Sequence, residues 1–247
     1  MRRRLLAAAG AAVVAVVAFG VLFSYPGPGV ASGGEPACAD LLVVGLRGNG
    51  DAPDAGHGMG GDAWAVASRL DGSPAPALYG FPYATGPWWR LGGHVRAAAG
   101  ALAAFLRGRE RRCPGERLVL IGQSEGAAVV HLTLPSVGPQ LAAAILLADP
   151  LRIAGGSMDD LGRPPGGLLA PVLLGPLGGL GPPREVVPGG MAGRVRSYCL
   201  DGDPVCHATP GALLGRTRGD VHTTYRFNPD GIADRAADFA RGRVTNG

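Results

Sequence analysis

The stretch Leu118-Val119-Leu120-Ile121-Gly122-Gln123-Ser124-Glu125-Gly126 decides how this chain folds. Four apolar residues suited to a buried strand run directly into Gly-x-Ser-x-Gly, and Ala127 to Leu134 then reads as a helix packed on the sheet. Strand, sharp turn and helix in that order form the context in which this motif holds a serine exposed in a strained bend. The pattern alone is weak evidence. With 43 Gly in 247 residues it arises by chance about once in four such chains, so the flanking strand and helix carry the reading. The helix N-terminus beneath Ser124 favours developing negative charge, and the Glu125 N–H is placed to donate to an oxyanion.

Outward from this centre, short apolar runs bounded by Gly and Pro recur at Leu41 to Leu46, Ala77 to Gly80, Ala144 to Leu147 and Val195 to Cys199. Leu91, Val95, Leu102 and Leu106 repeat at helical spacing, as do Ile232, Ala236 and Phe239. Strands alternating with helices predict one α/β domain of three layers, doubly wound about a five-stranded, mostly parallel sheet. A chain of this length with 47% hydrophobic residues can bury one such core. Residues 155–190, rich in Gly, Pro and Leu without periodicity, read either as a plain connection or as an apolar lip over a lipid-like substrate.

A serine hydroxyl needs a base, and the base needs an orienting carboxylate. In strand-turn-helix serine enzymes the chain order is Ser, acid, His. His57 and His94 precede Ser124, and His131 sits seven residues after it, about 10 Å along the same helix and too far to return. His207 is tethered beside Cys206, which leaves His222, in a loop before the last helix, as the base. Among the acids, Asp149 ends the fourth strand, Asp220 is too near His222, and Asp201 and Asp203 share the loop between Cys199 and Cys206. Residue chemistry alone does not separate those two.

Met1 to Arg4 followed by the apolar run Leu5 to Phe23 has the shape of an export signal, with cleavage expected so that the mature chain starts near Ser32. The domains are then residues 1–31, the leader, and 32–247, the folded unit. A run this long can also span a bilayer, so an uncleaved membrane anchor through residues 5–23 is the alternative to secretion. All the basic charge is Arg. Removing residues 1–31 takes away three Arg and no acid, leaving 20 Arg against 19 acids and a net charge of +1. That removes the electrostatic case for a nucleic-acid partner. The Arg107 to Arg112 cluster reads as a solvated helix end.

Four Cys in an exported chain suggest two disulfides. Cys38 and Cys113 each precede an apolar strand, and if those strands are parallel neighbours the two sulfurs fall within bridging range. Cys199 and Cys206 remain to close a short loop.

Taken together, Leu46-Arg47-Gly48-Asn49, Cys113 ahead of Gly122-Gln123-Ser124-Glu125-Gly126, Cys199-Leu200-Asp201-Gly202-Asp203-Pro204-Val205-Cys206 and His222-Thr223-Thr224-Tyr225 resemble the cutinase family of α/β-hydrolases. The resemblance implies a Ser124, Asp203, His222 triad, choosing Asp203 over Asp201. It implies the same two cysteine pairings and an oxyanion hole at Asn49 and Glu125. It also implies hydrolysis of short- to medium-chain esters, cutin-like polyester or lipid. The chain itself is read as a monomer, and no cofactor is expected. Two positions depart from the family pattern, which has Ser or Thr at Asn49 and commonly Gln at Glu125. Asn49 would then donate through its amide, and the Glu125 carboxylate would have to point to water to avoid opposing the oxyanion.

Other readings fare worse. A dinucleotide-binding turn after Gly48 and Gly50 would need a third glycine where Pro53 stands. Asp51, Asp54, His57 and Asp62 are residue types that bind metals, but their Gly- and Pro-rich setting reads as an ordinary loop, and no metal is expected. The non-enzyme alternative is a catalytically weak relative that binds lipid or cell-envelope material.

Overall fold

The computed structural model describes residues 34–70, 72, 75–152, 190–207 and 221–245. The expected leader and nearly all of the 155–190 segment lie outside the described residues. Five strands, β1 (Leu41–Leu46), β2 (Ala77–Gly80), β3 (Arg117–Gln123), β4 (Leu141–Leu147) and β5 (Val195–Tyr198), form one sheet in the order β2-β1-β3-β4-β5. Every neighbouring pair is parallel. The strands alternate with α1 (Gly61–Ala67), α2 (Leu91–Arg112), α3 (Glu125–Thr133) and α4 (Ile232–Thr245).

Parallel strands covered on both faces need apolar side chains at every position, and β1, β4 and all of β3 except its first residue are buried throughout. Alternation then divides them between two layers. Leu42, Val44, Leu118 and Leu120 pack with Val95, Leu102 and Leu106 of α2 and with α3. Leu41, Val43, Val119 and Ile121 pack on the other face with Val66 of α1 and Ala236 and Ala240 of α4. β3 and β4 are longer than the sequence reading, because Arg117, Gln123 and the Ala-rich start of β4 pair in register although their polarity or small size hides them.

The arginine cluster at the end of α2 is a correction to the sequence reading. Arg109 is buried, bonded through Nε to Glu116 Oε2 at 2.8 Å and through its terminal nitrogens to Glu35, Glu116 and the carbonyls of Pro36 and Ala37. Glu116 in turn accepts the Ala39 N–H at 3.0 Å, so this network fastens the N-terminal segment to the start of β3. Beside it, Cys38 is bridged to Cys113, and Cys199 to Cys206. Register explains the first pairing, since Leu41 stands opposite Arg117 in adjacent strands.

In this strand order the chain leaves β1 for one edge and returns to its other side as β3. The carboxyl ends of β1 and β3 therefore flank a topological switch point, where open α/β sheets bind ligands.

Candidate active site

Ser124 sits between β3 and α3 with φ 55° and ψ −115°, a conformation that non-glycine residues rarely adopt. Its backbone is held there by the Ser124 N–H donating to Leu147 O at 2.9 Å. The turn is tight enough to require both motif glycines. A Cβ at Gly126 would lie 2.5 Å from Leu46 O, and one at Gly122 would overlap the Gly126 carbonyl.

His222 arrives on a short 3-10 turn, Val221–Thr223, and its Nε2 stands 2.8 Å from Ser124 Oγ. On the other side its Nδ1 is 3.0 Å from both oxygens of Asp203. Asp203 is fully buried and also accepts the Val205 N–H at 2.7 Å, the Cys206 N–H at 3.4 Å and the Tyr225 hydroxyl at 2.7 Å. Burial alone would raise the Asp203 pKa, but the charge and hydrogen bond of His222 and the bonds from Tyr225 and Val205 hold it below the ordinary value. Burial would likewise lower His222, yet the charge and bond of Asp203, with Asp62 and Asp51 farther off, hold it above the ordinary histidine value. Asp201 is exposed, and one of its carboxylate oxygens lies 3.7 Å from His207 Nδ1.

The loop after β1 supplies the facing wall. Arg47 is buried and reaches Gly48 O, Asp51 O and Thr85 Oγ1 through one nitrogen and Tyr83 O through the other, at 3.2 to 3.3 Å. Tyr83 returns its hydroxyl to Arg47 O. This fixes Asn49, whose Nδ2 donates to Gly86 O at 2.8 Å and to Glu125 Oε2 at 2.5 Å. Both amide hydrogens are thereby used, so the expectation that Asn49 donates through its side chain is corrected. The Glu125 carboxyl does not point to water either. It is buried, and burial, partly offset by the Asn49 bond and the charge of Arg47, pushes its pKa up to about 7.

Sequence reasoning missed several partners. Tyr225, quoted only as part of a motif, bonds both Asp203 and, as acceptor, the Leu200 N–H at 3.1 Å. Buried His131, set aside as too distant, pairs with buried Asp149 at 2.6 Å and joins α3 to the turn after β4. Asp62 accepts the Arg226 N–H at 3.0 Å, and burial raises its pKa to about 6. Of the residues considered as a metal cluster, Asp51 accepts the Gly48 N–H and His57 lies against Trp64, so these groups serve the loop itself.

A serine in a strained elbow, an imidazole and a buried carboxylate in hydrogen-bonded sequence, at the carboxyl edge of a parallel sheet, define a serine hydrolase of the α/β-hydrolase class. The model of the family described as Cutinase matches residues 37–244, and the chain belongs to that family, a family of carboxylic ester hydrolases. It is 28% identical to the "Probable carboxylesterase Culp2" of Mycobacterium tuberculosis over 98% of this chain and 97% of that protein. Among solved structures it is similar to the catalytic core domain of acetyl xylan esterase from Trichoderma reesei, with a TM-score of 0.63, 19% identity, and coverage of 84% of this chain and all of that one. A Trichoderma reesei cutinase in complex with a phosphonate inhibitor gives a TM-score of 0.55 at 21% identity, over 96% of this chain and 89% of that one.

Proposed function

We propose that this chain is a secreted serine esterase in which Ser124 attacks an ester carbonyl. His222 takes the serine proton and passes it to the leaving alcohol, and Asp203 holds the imidazole in the required tautomer. The resulting acyl-enzyme is cleared by water, which His222 activates in turn. The backbone N–H groups of Asn49 and Glu125 receive the oxyanion. The observation that carries this reading is the unbroken path from Ser124 Oγ through both ring nitrogens of His222 to Asp203, with contacts of 2.8 and 3.0 Å.

Secretion is supported by the apolar leader of residues 1–31 and by the two disulfides, which persist in oxidising compartments. No described helix is long and apolar enough to cross a membrane.

Mature protein and Ser124→Ala, assayed on p-nitrophenyl esters of increasing acyl length, test the reading. Turnover by the wild type and its loss in the variant are expected. Equal inactivity of both on every ester would sink the esterase assignment and return attention to lipid binding.

A further inference from the structure

The pair at the oxyanion wall has one more property. Asn49 Nδ2 approaches Glu125 Oε2 to 2.5 Å, while the other oxygen of each group, Asn49 Oδ1 and Glu125 Oε1, is closed off from solvent and has no hydrogen-bond partner among the described residues. Two orphan acceptors on two side chains already joined by one bond are a costly arrangement. A single proton on Glu125 relieves both, because a carboxylic acid and a primary amide can pair face to face. In that ring, Nδ2–H donates to Oε2 and Oε1–H donates back to Oδ1, while the second Nδ2 hydrogen keeps its bond to Gly86 O.

We propose that Glu125 works as a neutral carboxylic acid closed with Asn49 into an acid–amide ring that locks the oxyanion loop to the nucleophile helix, and that ionising it disables acyl transfer. The second half rests on the esterase reading above. The surroundings agree with a neutral acid. From the loop after β1 the charged groups nearby are Arg47 and Asp51, and from the segment after β2 comes the buried Tyr83, whose own pKa is raised by burial and by Glu125. On α2, His94 packs over Gly86. Toward the nucleophile, Ser124 and the His222–Asp203 pair complete the set.

The four side-chain bonds of Arg47 go to three carbonyls and Thr85 rather than to Glu125, so among the described residues a carboxylate there would lack a bonded cation. It would also place a negative charge on the residue whose N–H receives the oxyanion, where preorganised positive potential is what lowers the barrier. Keeping a buried carboxyl protonated near neutral pH is an established way to use one as a hydrogen-bond donor.

The chain contains five glutamates, so protein labelled with 13C at glutamate Cδ gives few resonances, and Glu125→Gln identifies the relevant one by deleting it. That resonance is expected to move through a midpoint of about 7, measured in wild type and in Ser124→Ala. A midpoint below about 5, within the ordinary glutamate range, overturns the proposal whatever the activity. In parallel, kcat/KM on p-nitrophenyl butyrate is followed across pH. With a midpoint near 7, wild type is expected to lose about 30-fold by pH 8.5 relative to its protonated form, and Glu125→Gln less than threefold. The same alkaline fall in both proteins overturns the link to acyl transfer. A protein without esterase activity whose Glu125 still titrates near 7 upholds the acid–amide ring and removes the esterase reading instead.

Discussion

Gln123 Nε2 donates to His222 O at 3.1 Å, so the residue before Ser124 holds the backbone of His222. Gln123 is buried, and its Oε1 lies against Gly48 so closely that a Cβ there would overlap it. One amide thus braces the three chain segments that meet at Ser124. Gln123→Ala is expected to lower kcat by about 10- to 100-fold with a smaller change in KM, since misplacing a reacting group by an ångström costs that much. Unchanged kcat in the variant would remove this bracing role.

Tyr225 and Asp203 give a second test. Removing the phenol in Tyr225→Phe leaves Asp203 with its His222 and backbone bonds but without one of the contacts that favour its charge. Loss of a hydrogen bond to a charged group costs about 1.5–3 kcal/mol, or roughly 10- to 150-fold if felt wholly in the transition state. Asp203→Asn should be more severe, about 10⁴-fold in kcat, because the amide permits the wrong imidazole tautomer. Steady-state kinetics of the two variants check the ranking, and Asp201→Asn, on an exposed residue, should leave kcat within twofold.

How much of this was legible in the sequence follows from what each residue does locally. Strand Leu41–Leu46 and the stripe Leu91, Val95, Leu102, Leu106 announce themselves because burial demands apolar side chains at fixed periods. Ser124, Asp203 and His222 could be nominated from chain order, a disulfide-closed loop and a resemblance. The buried polar partners could not. Arg109, Glu116, Asp149, His131 and Glu125 carry residue types that usually face solvent, and what buries each is a partner between 7 and 77 positions away. Only the assembled fold tells such a residue from a solvated one.

Asp62 makes stability and activity respond to pH in separable ways. Its pKa is raised from 3.8 to about 6 by burial, so the folded state resists its ionisation. For a group raised on folding, stability is fully present below the unfolded value and falls as pH rises through the folded one. Asp62→Asn should therefore match wild type near pH 4 and exceed it above pH 6, by up to about 3 kcal/mol for a shift of about two units. Asp62 also helps raise His222, so the acid limb of kcat/KM should move to lower pH in the variant. Denaturant unfolding at pH 4 and 8, with a pH–rate profile, measures both shifts.

The two disulfides should fail differently when removed. Cys38–Cys113 closes a loop spanning 75 positions far from Ser124 in the fold, and by loop entropy it contributes about 4 kcal/mol. Cys199–Cys206 spans 7 positions, and that loop carries Asp203. Replacing the first pair by Ala should lower Tm while leaving kcat at assay temperature near wild type. Replacing the second should reduce kcat more than it reduces Tm. A common effect on both quantities would show that the loop is ordered by Tyr225 and the core rather than by its bridge.

Glu116→Ala isolates the buried ion pair that anchors the N-terminal segment. Arg109 would keep Glu35, which is partly exposed, and two carbonyls, but would lose the one buried carboxylate facing it. Removing one partner of a buried ion pair destabilises by about 3–5 kcal/mol, several times the value of a surface pair, and the half-exposed Glu35 places the expected cost at the lower end of that range. The Ala39 N–H also loses its acceptor, so the segment leading to Cys38 should loosen first. The expected result is a large drop in unfolding free energy, hydrogen exchange raised at Ala39 and its neighbours before the rest of the sheet, and unchanged kcat per folded molecule. Replacing Arg109 and Glu116 together by Leu and Met should recover part of the loss, because it removes the stranded charge as well as the pair. If the double variant is no more stable than Glu116→Ala alone, the cost lies in the Ala39 bond and not in the buried charge.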